Sequence, residues 1–289
     1  MSHLLNLLRG FLMGSADVVP GVSGGTIALV LGIYERLVHA IRTGASALGS
    51  LVRGRFGEAL QRARTVEWNF LVPLLAGIGL AIVSLAALIE HFLKEEPTNT
   101  AAVFFGLVAG SILVAWRLVG RWDNRRMGTA VAVAVIAFAV LGLRSEEIID
   151  PSTALFFVAG AIAIIAMILP GISGSFILLM LGMYEAVLAA VNDRDLLVVG
   201  VFMVGAVIGL AAFSTVLDRM LRDHHDTVMA GLIGLMAGSL RVLWPWPDGT
   251  DTSNLASPSE PLVPVVLAVV GFAVVMVIAR LGKPVASSQ

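Results

Sequence analysis

The chain has 289 residues, of which 58% are hydrophobic and 13% charged, with a mean hydropathy of +0.93. Soluble domains carry about 25% charged residues, so this composition excludes a soluble globular domain and indicates an all-α integral membrane protein. The absence of cysteine excludes disulfides and thiolate chemistry. The five histidines show no metal-ligand spacing, so no metal site is expected. No other cofactor and no nucleic-acid partner are expected.

Two broken apolar segments and six ordinary spans are predicted along the chain. Each broken segment is too long for one span of about 20 residues and carries Pro-Gly near its middle. We predict that each is a re-entrant hairpin, in which a helix, a tight break and a second helix return to the side of entry. In chain order the elements are a hairpin at 4–41, spans at 70–92, 101–119 and 127–143, a hairpin at 153–191, and spans at 196–217, 227–244 and 262–281.

The distribution of basic residues favours hairpins over crossings. With a cytoplasmic N-terminus and no net crossing at either hairpin, 15 of the 19 basic residues face the cytoplasm, as the positive-inside rule expects. The four on the outside are Lys94, Arg144, Arg194 and Arg241. If each segment crossed once, the C-terminal basic residues would face outward and the acidic 246–261 loop inward. Both termini are therefore predicted to be cytoplasmic.

The chain repeats itself. VVPGVSGGTIALVLGIYE from Val18 recurs as ILPGISGSFILLMLGMYE from Ile168. Within the spans, GIGLAIVS from Gly77 aligns with VIGLAAFS at an offset of 130, and GLVAGS from Gly106 aligns with GLMAGS at an offset of 128. We therefore expect two repeats, 1–145 and 146–289, each with one hairpin and three spans.

Three crossings per repeat is an odd number, so the second repeat must be inserted upside down relative to the first. Inverted-topology repeats whose broken helices meet near the middle of the bilayer are typical of secondary transporters. The sequence therefore favours a transporter with its site at the two Pro-Gly breaks.

The repeated motif supplies groups that suit an anion. Proline ends a half-helix, glycine permits unusual backbone angles, and Ser23 or Ser173 can cap the next half-helix, which in the first copy is expected from about Gly24 to Tyr34. Amides freed at such a break must line a polar cavity or be buried in protein, and phosphate is their leading ligand. Close helix packing is the alternative explanation for a single small-residue motif.

The candidate substrate-binding residues come from the two motif copies, together with one arginine in a predicted span near the outer face that could pair with a phosphate. They are Pro20, Gly21, Ser23, Gly24, Gly25, Thr26, Pro170, Gly171, Ser173, Gly174, Ser175 and Arg241.

Three carboxylates are weaker candidates. Asp17 precedes the first break, whereas the equivalent residue in the second copy is Met167, and Asp17 is interpreted either as a coupling proton carrier or as a local cap. Glu35 and Glu185 end the GIYE and GMYE sequences. At about 18 Å from the breaks, they are assigned to gating or helix-end pairing rather than to ligation.

On PGVSGG…GIYE and PGISGS…GMYE, the sequence resembles the bacterial polyprenyl-phosphate translocase family of the PopT type, formerly a domain of unknown function. The resemblance implies a multi-pass protein of the cytoplasmic membrane that is a transporter rather than an enzyme. It would flip undecaprenyl phosphate from the outer to the inner leaflet, which recycles the carrier lipid of peptidoglycan synthesis, by alternating access. Membrane lipids are the expected surroundings, and a homodimer is left open. Ser175 replaces the second glycine of the first copy, which leaves open whether the half-sites are equivalent.

Two other functions remain to be distinguished. Undecaprenyl-pyrophosphate phosphatases have a similar Pro-Gly-x-Ser turn, but here glycine rather than arginine follows each motif serine, at Gly24 and Gly174. Paired acidic residues for hydrolysis are also missing beside the hairpins. A carrier of a small inorganic anion would use the same helix-end chemistry.

Overall fold

The computed structural model describes residues 3–19, 21–143, 145–247 and 255–281, and within these ranges all regular structure is helical. The described helices are α1 (His3–Asp17), α2 (Gly24–Val30), α3 (Tyr34–Val52), α4 (Phe56–Thr65), α5 (Trp68–Glu95), α6 (Pro97–Trp116), α7 (Asn124–Val140), α8 (Thr153–Ile168), α9 (Gly174–Met180), α10 (Tyr184–Asn192), α11 (Leu196–Ser239) and α12 (Leu262–Leu281). The prediction of an all-α protein is confirmed for the described part of the chain.

Four of the described helices, α5, α6, α11 and α12, are long and apolar enough to cross a membrane. The predicted span at 127–143 corresponds to the 17-residue helix α7. Two predicted spans, 196–217 and 227–244, are joined in the single 44-residue helix α11, with no loop between them. At 1.5 Å per residue, α11 is about 66 Å long, twice the thickness of a hydrocarbon core. A kink at His224 (φ −141°, ψ 42°) divides it into two limbs.

Each motif region is broken twice rather than once. The first break separates α1 from α2 and α8 from α9, and a second separates each seven-residue helix from α3 or α10. Helices α9 and α10 are bent by 113°. The expected half-helix from Gly24 to Tyr34 is therefore too long, because α2 ends at Val30.

Glycine causes the early end of both short helices. Gly32 (φ 65°) and Gly182 (φ 68°) have the left-handed conformation that ends a helix. In each copy the next amide bonds back to the carbonyl five residues earlier, from Ile33 to Ala28 and from Met183 to Leu178, both at 2.9 Å. This Schellman geometry turns the chain sharply away from the axis of the short helix.

The longer helices pack in pairs through glycine. Helix α1 lies along α5, and α8 lies along the first limb of α11. A Cβ atom on Gly77 would lie 2.0 Å from the carbonyl oxygen of Leu7, and one on Gly205 would lie 2.0 Å from that of Phe157. Gly77 and Gly205 make equivalent contacts and are 128 positions apart. The alignment of GIGLAIVS with VIGLAAFS, at an offset of 130, is therefore shifted by two residues from the equivalence that the helix packing shows.

The remaining pairs join the two halves of the chain. Helix α6 lies along α12, and α7 lies along the second limb of α11. A Cβ atom on Gly106 would lie 1.9 Å from the carbonyl oxygen of Ala268, and one on Gly234 would lie 2.2 Å from that of Ala130. This pair of glycines has the offset of 128 predicted from the sequence.

The glycine contacts predict that α5 tolerates an added methyl group at Gly79, which faces no neighbour, but not at Gly77, which faces α1. Gly77→Ala should destabilise the protein by about 1–3 kcal/mol through overpacking against α1, seen as a lower apparent melting temperature in detergent. Gly79→Ala is the matched control, because a Cβ atom there would meet no atom within 4 Å. Equal melting temperatures for the two variants would contradict this packing.

Candidate functional site

The two motif breaks, 150 residues apart in sequence, touch in the interior of the protein. The hydroxyl oxygen of Ser23 lies 3.2 Å from the carbonyl oxygen of Met167 and 3.1 Å from that of Leu169. The amide of Gly171 donates a hydrogen bond of 2.8 Å to Oγ1 of Thr26. The structure therefore brings the predicted substrate-binding segments together; Pro20 lies outside the described residues.

The N-terminal end of α2 is closed by two oxygen atoms from its own repeat. Oγ of Ser23 accepts a hydrogen bond of 3.0 Å from the amide of Gly25, which confirms the predicted cap. Oδ1 of Asp17 accepts one of 2.6 Å from the amide of Gly24. Of the two predicted environments for these amides, a polar cavity or burial in protein, the structure shows the second, because both amides are bonded to the chain itself.

Both glycines at the start of α2 are needed for close approach. A Cβ atom on Gly24 would lie 2.5 Å from Oδ2 of Asp17, and one on Gly25 would lie 2.7 Å from the carbonyl oxygen of Ile168. A larger residue at Gly25 would meet the backbone of the second break, whereas one at Gly24 would displace the carboxylate of Asp17.

The second break is built differently. Ser173 precedes α9 in an extended conformation, but its side chain makes no capping hydrogen bond, so the predicted cap is wrong. Its hydroxyl lies 2.8 Å from the hydroxyl of Ser175 instead. Ser175, which replaces the second glycine of the first copy, thus binds the hydroxyl of Ser173 that would otherwise cap α9. Met167 occupies the position that Asp17 has in the first copy.

The contact between the breaks is shielded from solvent. Ser23 and Thr26 are each 1% exposed and Ser173 is 5% exposed. Hydrogen bonds between neutral groups gain strength in such an environment, and an unsatisfied donor there is costly. In this conformation the site is closed around its own polar groups.

Arg241 lies beside the first break, and its guanidinium packs against the C-terminal end of α7. It follows α11 in a turn whose next residue, Val242, packs on Gly21, where a Cβ atom would lie 2.6 Å from Cγ1 of Val242. Gly21 has φ 85°, which favours glycine. The guanidinium of Arg241 lies 4.7 Å from the ring centre of Phe138 and packs against Gly142 after the end of α7.

A second polar cluster, missed by sequence reasoning, joins α3 to the middle of α11. Asp218 is 4% exposed, and its carboxylate lies 3.0 Å from His39, 2.9 Å from Arg42 and 3.0 Å from Arg222. Asp218, His39 and Arg222 help to line a cavity of about 340 Å³. The spacing of Asp218 and Arg222 was a visible signal, but their partners on α3 are far away in sequence.

Glu35 belongs to this second cluster and not to the break contacts. Its Oε1 lies 2.9 Å from Nε2 of His225, whereas Glu185 is exposed. His225 follows the kink of α11, in the polar segment 218–226 between the two spans predicted from the sequence. The hydrogen bond to Glu35 raises the pKa of His225 to about 9. The hydrogen bond ties α3 to α11.

Fold and site together define a multi-pass helical membrane protein in which two copies of a Pro-Gly-x-Ser-Gly motif meet. Residues 13–260 match the family described as VCA0040-like, undecaprenyl phosphate translocase-like. The chain belongs to this family, which confirms the resemblance seen in the sequence.

Two relatives extend the likeness over most of the chain. A polyprenyl-phosphate transporter of Vibrio cholerae serotype O1 is 41% identical over 249 residues, covering 86% of this chain and 80% of the relative. A polyprenyl-phosphate transporter of Staphylococcus aureus is 30% identical over 297 residues, covering 96% of each chain. No solved structure matches the chain.

Removing the hydroxyl that joins the breaks should cost stability. Thr26→Val leaves the buried amide of Gly171 without its acceptor, and we expect a loss of about 1–3 kcal/mol, measured as a lower apparent melting temperature. Thr26→Ser keeps the hydroxyl and should melt close to the wild type. If the valine variant were as stable as the serine variant, the bond between the breaks would not contribute to the fold.

Proposed function

We propose that the protein transports a polyprenyl phosphate, with undecaprenyl phosphate as the foremost substrate, from the outer to the inner leaflet of the bacterial cytoplasmic membrane. Family membership and the names of both relatives support the substrate class. The observation that carries the proposal is the direct contact of the two motif breaks at Ser23 and Thr26. The protein acts as a lipid transporter and not as an enzyme.

The proposed topology is that of two inverted repeats, 1–145 and 146–289, each with a re-entrant broken segment and three spans, and with both termini cytoplasmic. The helix pairing supports a two-fold relation. The pair α1 with α5 corresponds to α8 with the first limb of α11, and the pair α6 with α12 corresponds to the second limb of α11 with α7. Rocking of one half against the other then gives each leaflet access in turn.

In the proposed mechanism, oxygen atoms of the phosphate head group replace the protein oxygens that accept hydrogen bonds from the backbone amides in the closed structure. The amides of Gly24, Gly25 and Gly171 now donate to Asp17, Ser23 and Thr26. Separation of the breaks frees the amide of Gly171. The phosphate oxygens then displace Asp17 and Ser23 from the amides of Gly24 and Gly25, and they separate the hydroxyls of Ser173 and Ser175 from each other. The polyprenyl tail stays in the bilayer throughout, because only the charged head needs a polar path.

Asp17 is proposed to couple this exchange to a proton. An ionised carboxylate at the start of α2 repels an incoming phosphate, whereas a protonated one does not. Loss of the bond between Asp17 and Gly24 would then accompany phosphate binding. Arg241 would attract the head group from the outer side, and Glu35 and Glu185 would act at the ends of the return helices as gates.

Substitutions in the site should slow transport without unfolding the protein. We expect Ser23→Ala, Ser173→Ala and Arg241→Ala each to reduce the rate about tenfold or more, the effect of one lost hydrogen bond to a charged group. The measurement is leaflet-specific accessibility of undecaprenyl phosphate in proteoliposomes. Ser84→Ala is the control, because Ser84 is exposed on α5 and bonds only to the carbonyl oxygens of its own helix.

The same proteoliposomes separate the alternatives. Wild-type rates in all three site variants would refute the assignment of the site. Release of phosphate from a polyprenyl pyrophosphate would indicate an enzyme, and flux of inorganic phosphate without lipid flipping would indicate a carrier of small anions.

The proton role of Asp17 has its own test. Asp17→Asn keeps an acceptor oxygen for Gly24 but removes the titrating carboxylate, so the pH dependence of substrate binding should differ from that of the wild type and reflect the second ionisation of the phosphate itself, at about pH 6. Wild-type affinity for a short-chain polyprenyl phosphate should fall as the pH rises, because the ionised carboxylate opposes the phosphate. The same pH dependence in both proteins would show that Asp17 is only a cap.

A further inference from the structure

Helix α4 presents an apolar face that the rest of the described structure leaves uncovered. It forms a hairpin with α3, against which it mainly packs, and Ala59 is its buried contact at 7% exposure. On another side of the helix, Phe56 is 69% exposed and Leu60 is 56% exposed. These two residues lie four positions apart and therefore on one face, which we call the α4 face.

Arginines border the α4 face. The segment 53–65 contains Arg53, Arg55, Arg62 and Arg64 but only one acidic residue, Glu58. Glu58 lies 3.7 Å from Arg55 and 3.9 Å from Arg62, and both arginines remain about half exposed or more. The segment keeps a net positive charge next to exposed apolar side chains, which is the pattern of an interfacial amphipathic helix.

The start of α5 places α4 at the boundary of the bilayer. Helix α4 ends at Thr65 and the membrane-crossing helix α5 begins at Trp68, a distance of about 10 Å at most for three residues. The indole of Trp68 donates a hydrogen bond of 2.8 Å to the carbonyl oxygen of Ala63 in α4. Because tryptophan is enriched at the membrane–water interface, this bond ties α4 to the level at which α5 enters the lipid.

In the described part of the second half, no counterpart of α4 lies between α10 and α11. There, α10 ends at Asn192 and α11 begins at Leu196. A function shared by the two halves, such as the central site, therefore does not account for α4.

We propose that the α3–α4 hairpin docks on the membrane surface and binds anionic phospholipid head groups. Phe56 and Leu60 enter the boundary between head groups and acyl chains, and the four bordering arginines bind the phosphates. Positive charge next to an apolar stripe fits a lipid surface better than it fits a second copy of the same basic helix. The proposal depends on the protein lying in a bilayer, but not on the transported substrate.

Single-cysteine spin labelling tests the proposal directly, because the chain has no native cysteine. Leu60→Cys places a label on the α4 face, and Gln61→Cys places one on the neighbouring exposed side. The full-length protein is reconstituted in nanodiscs of phosphatidylcholine, alone or mixed equally with phosphatidylglycerol. Power saturation by oxygen and by a water-soluble nickel chelate then reports the depth of each label.

We expect the label at 60 to be accessible to oxygen and protected from nickel in the mixed discs, and the label at 61 to be accessible to nickel. Arg62→Gln with Arg64→Gln should remove the difference between the two lipid compositions. Arg219→Gln, at an exposed arginine of the α11 connector, should leave that difference unchanged.

Three results would overturn the proposal. Equal nickel accessibility at 60 and 61 in mixed discs would place the hairpin away from the lipid. Dipolar coupling between labels at 60 in two copies would indicate a self-association surface. Immersion that is the same with and without phosphatidylglycerol would show apolar insertion without recognition of anionic lipid.

Discussion

The satisfaction of backbone polar groups at two broken helices is the constraint on which the rest of the structure depends. Amides freed by a break cannot be left in hydrocarbon, where each unsatisfied group costs several kcal/mol. Here polar groups of the two breaks form hydrogen bonds with each other. Thr26 of the first accepts from Gly171 of the second, and the carbonyl groups of Met167 and Leu169 lie within reach of the hydroxyl of Ser23. The buried amide of Gly171 in the second break therefore depends on the first break for its acceptor.

Such mutual completion requires backbones to come very close, and glycine makes this possible. Gly25 sits where a Cβ atom would meet the carbonyl oxygen of Ile168 at 2.7 Å. The helix pairs around the breaks use the same means, since Gly77 and Gly106 face carbonyl oxygens of neighbouring helices at similarly short range. Small residues drive helix association in membranes, where apolar area alone gives little. The packing and binding interpretations of the motif are therefore compatible, because the close packing forms the site.

Local chemistry was predictable from the sequence, and long-range pairing was not. The cap by Ser23 follows from a serine directly before a helix start, and two broken segments follow from proline and glycine in apolar sequence. The early end of α2 was missed because Gly32 was read as part of the helix. The bond from Thr26 to Gly171 and the cluster around Asp218 join residues more than 140 positions apart. Nothing in one sequence specifies such pairs.

The polar groups of the two breaks are paired in different ways. The first break closes itself, because Asp17 and Ser23 occupy the leading amides of α2. The second has Met167 in place of the aspartate, and its two serines bond to each other. Exchanging a hydroxyl partner costs about 1 kcal/mol, whereas displacing a carboxylate from a charge-assisted hydrogen bond costs about twice as much. In the proposed mechanism, a phosphate would displace the partners of the second break more readily, and the first break would open only when Asp17 changes its charge or position. On that proposal, the two half-sites would act in sequence rather than together.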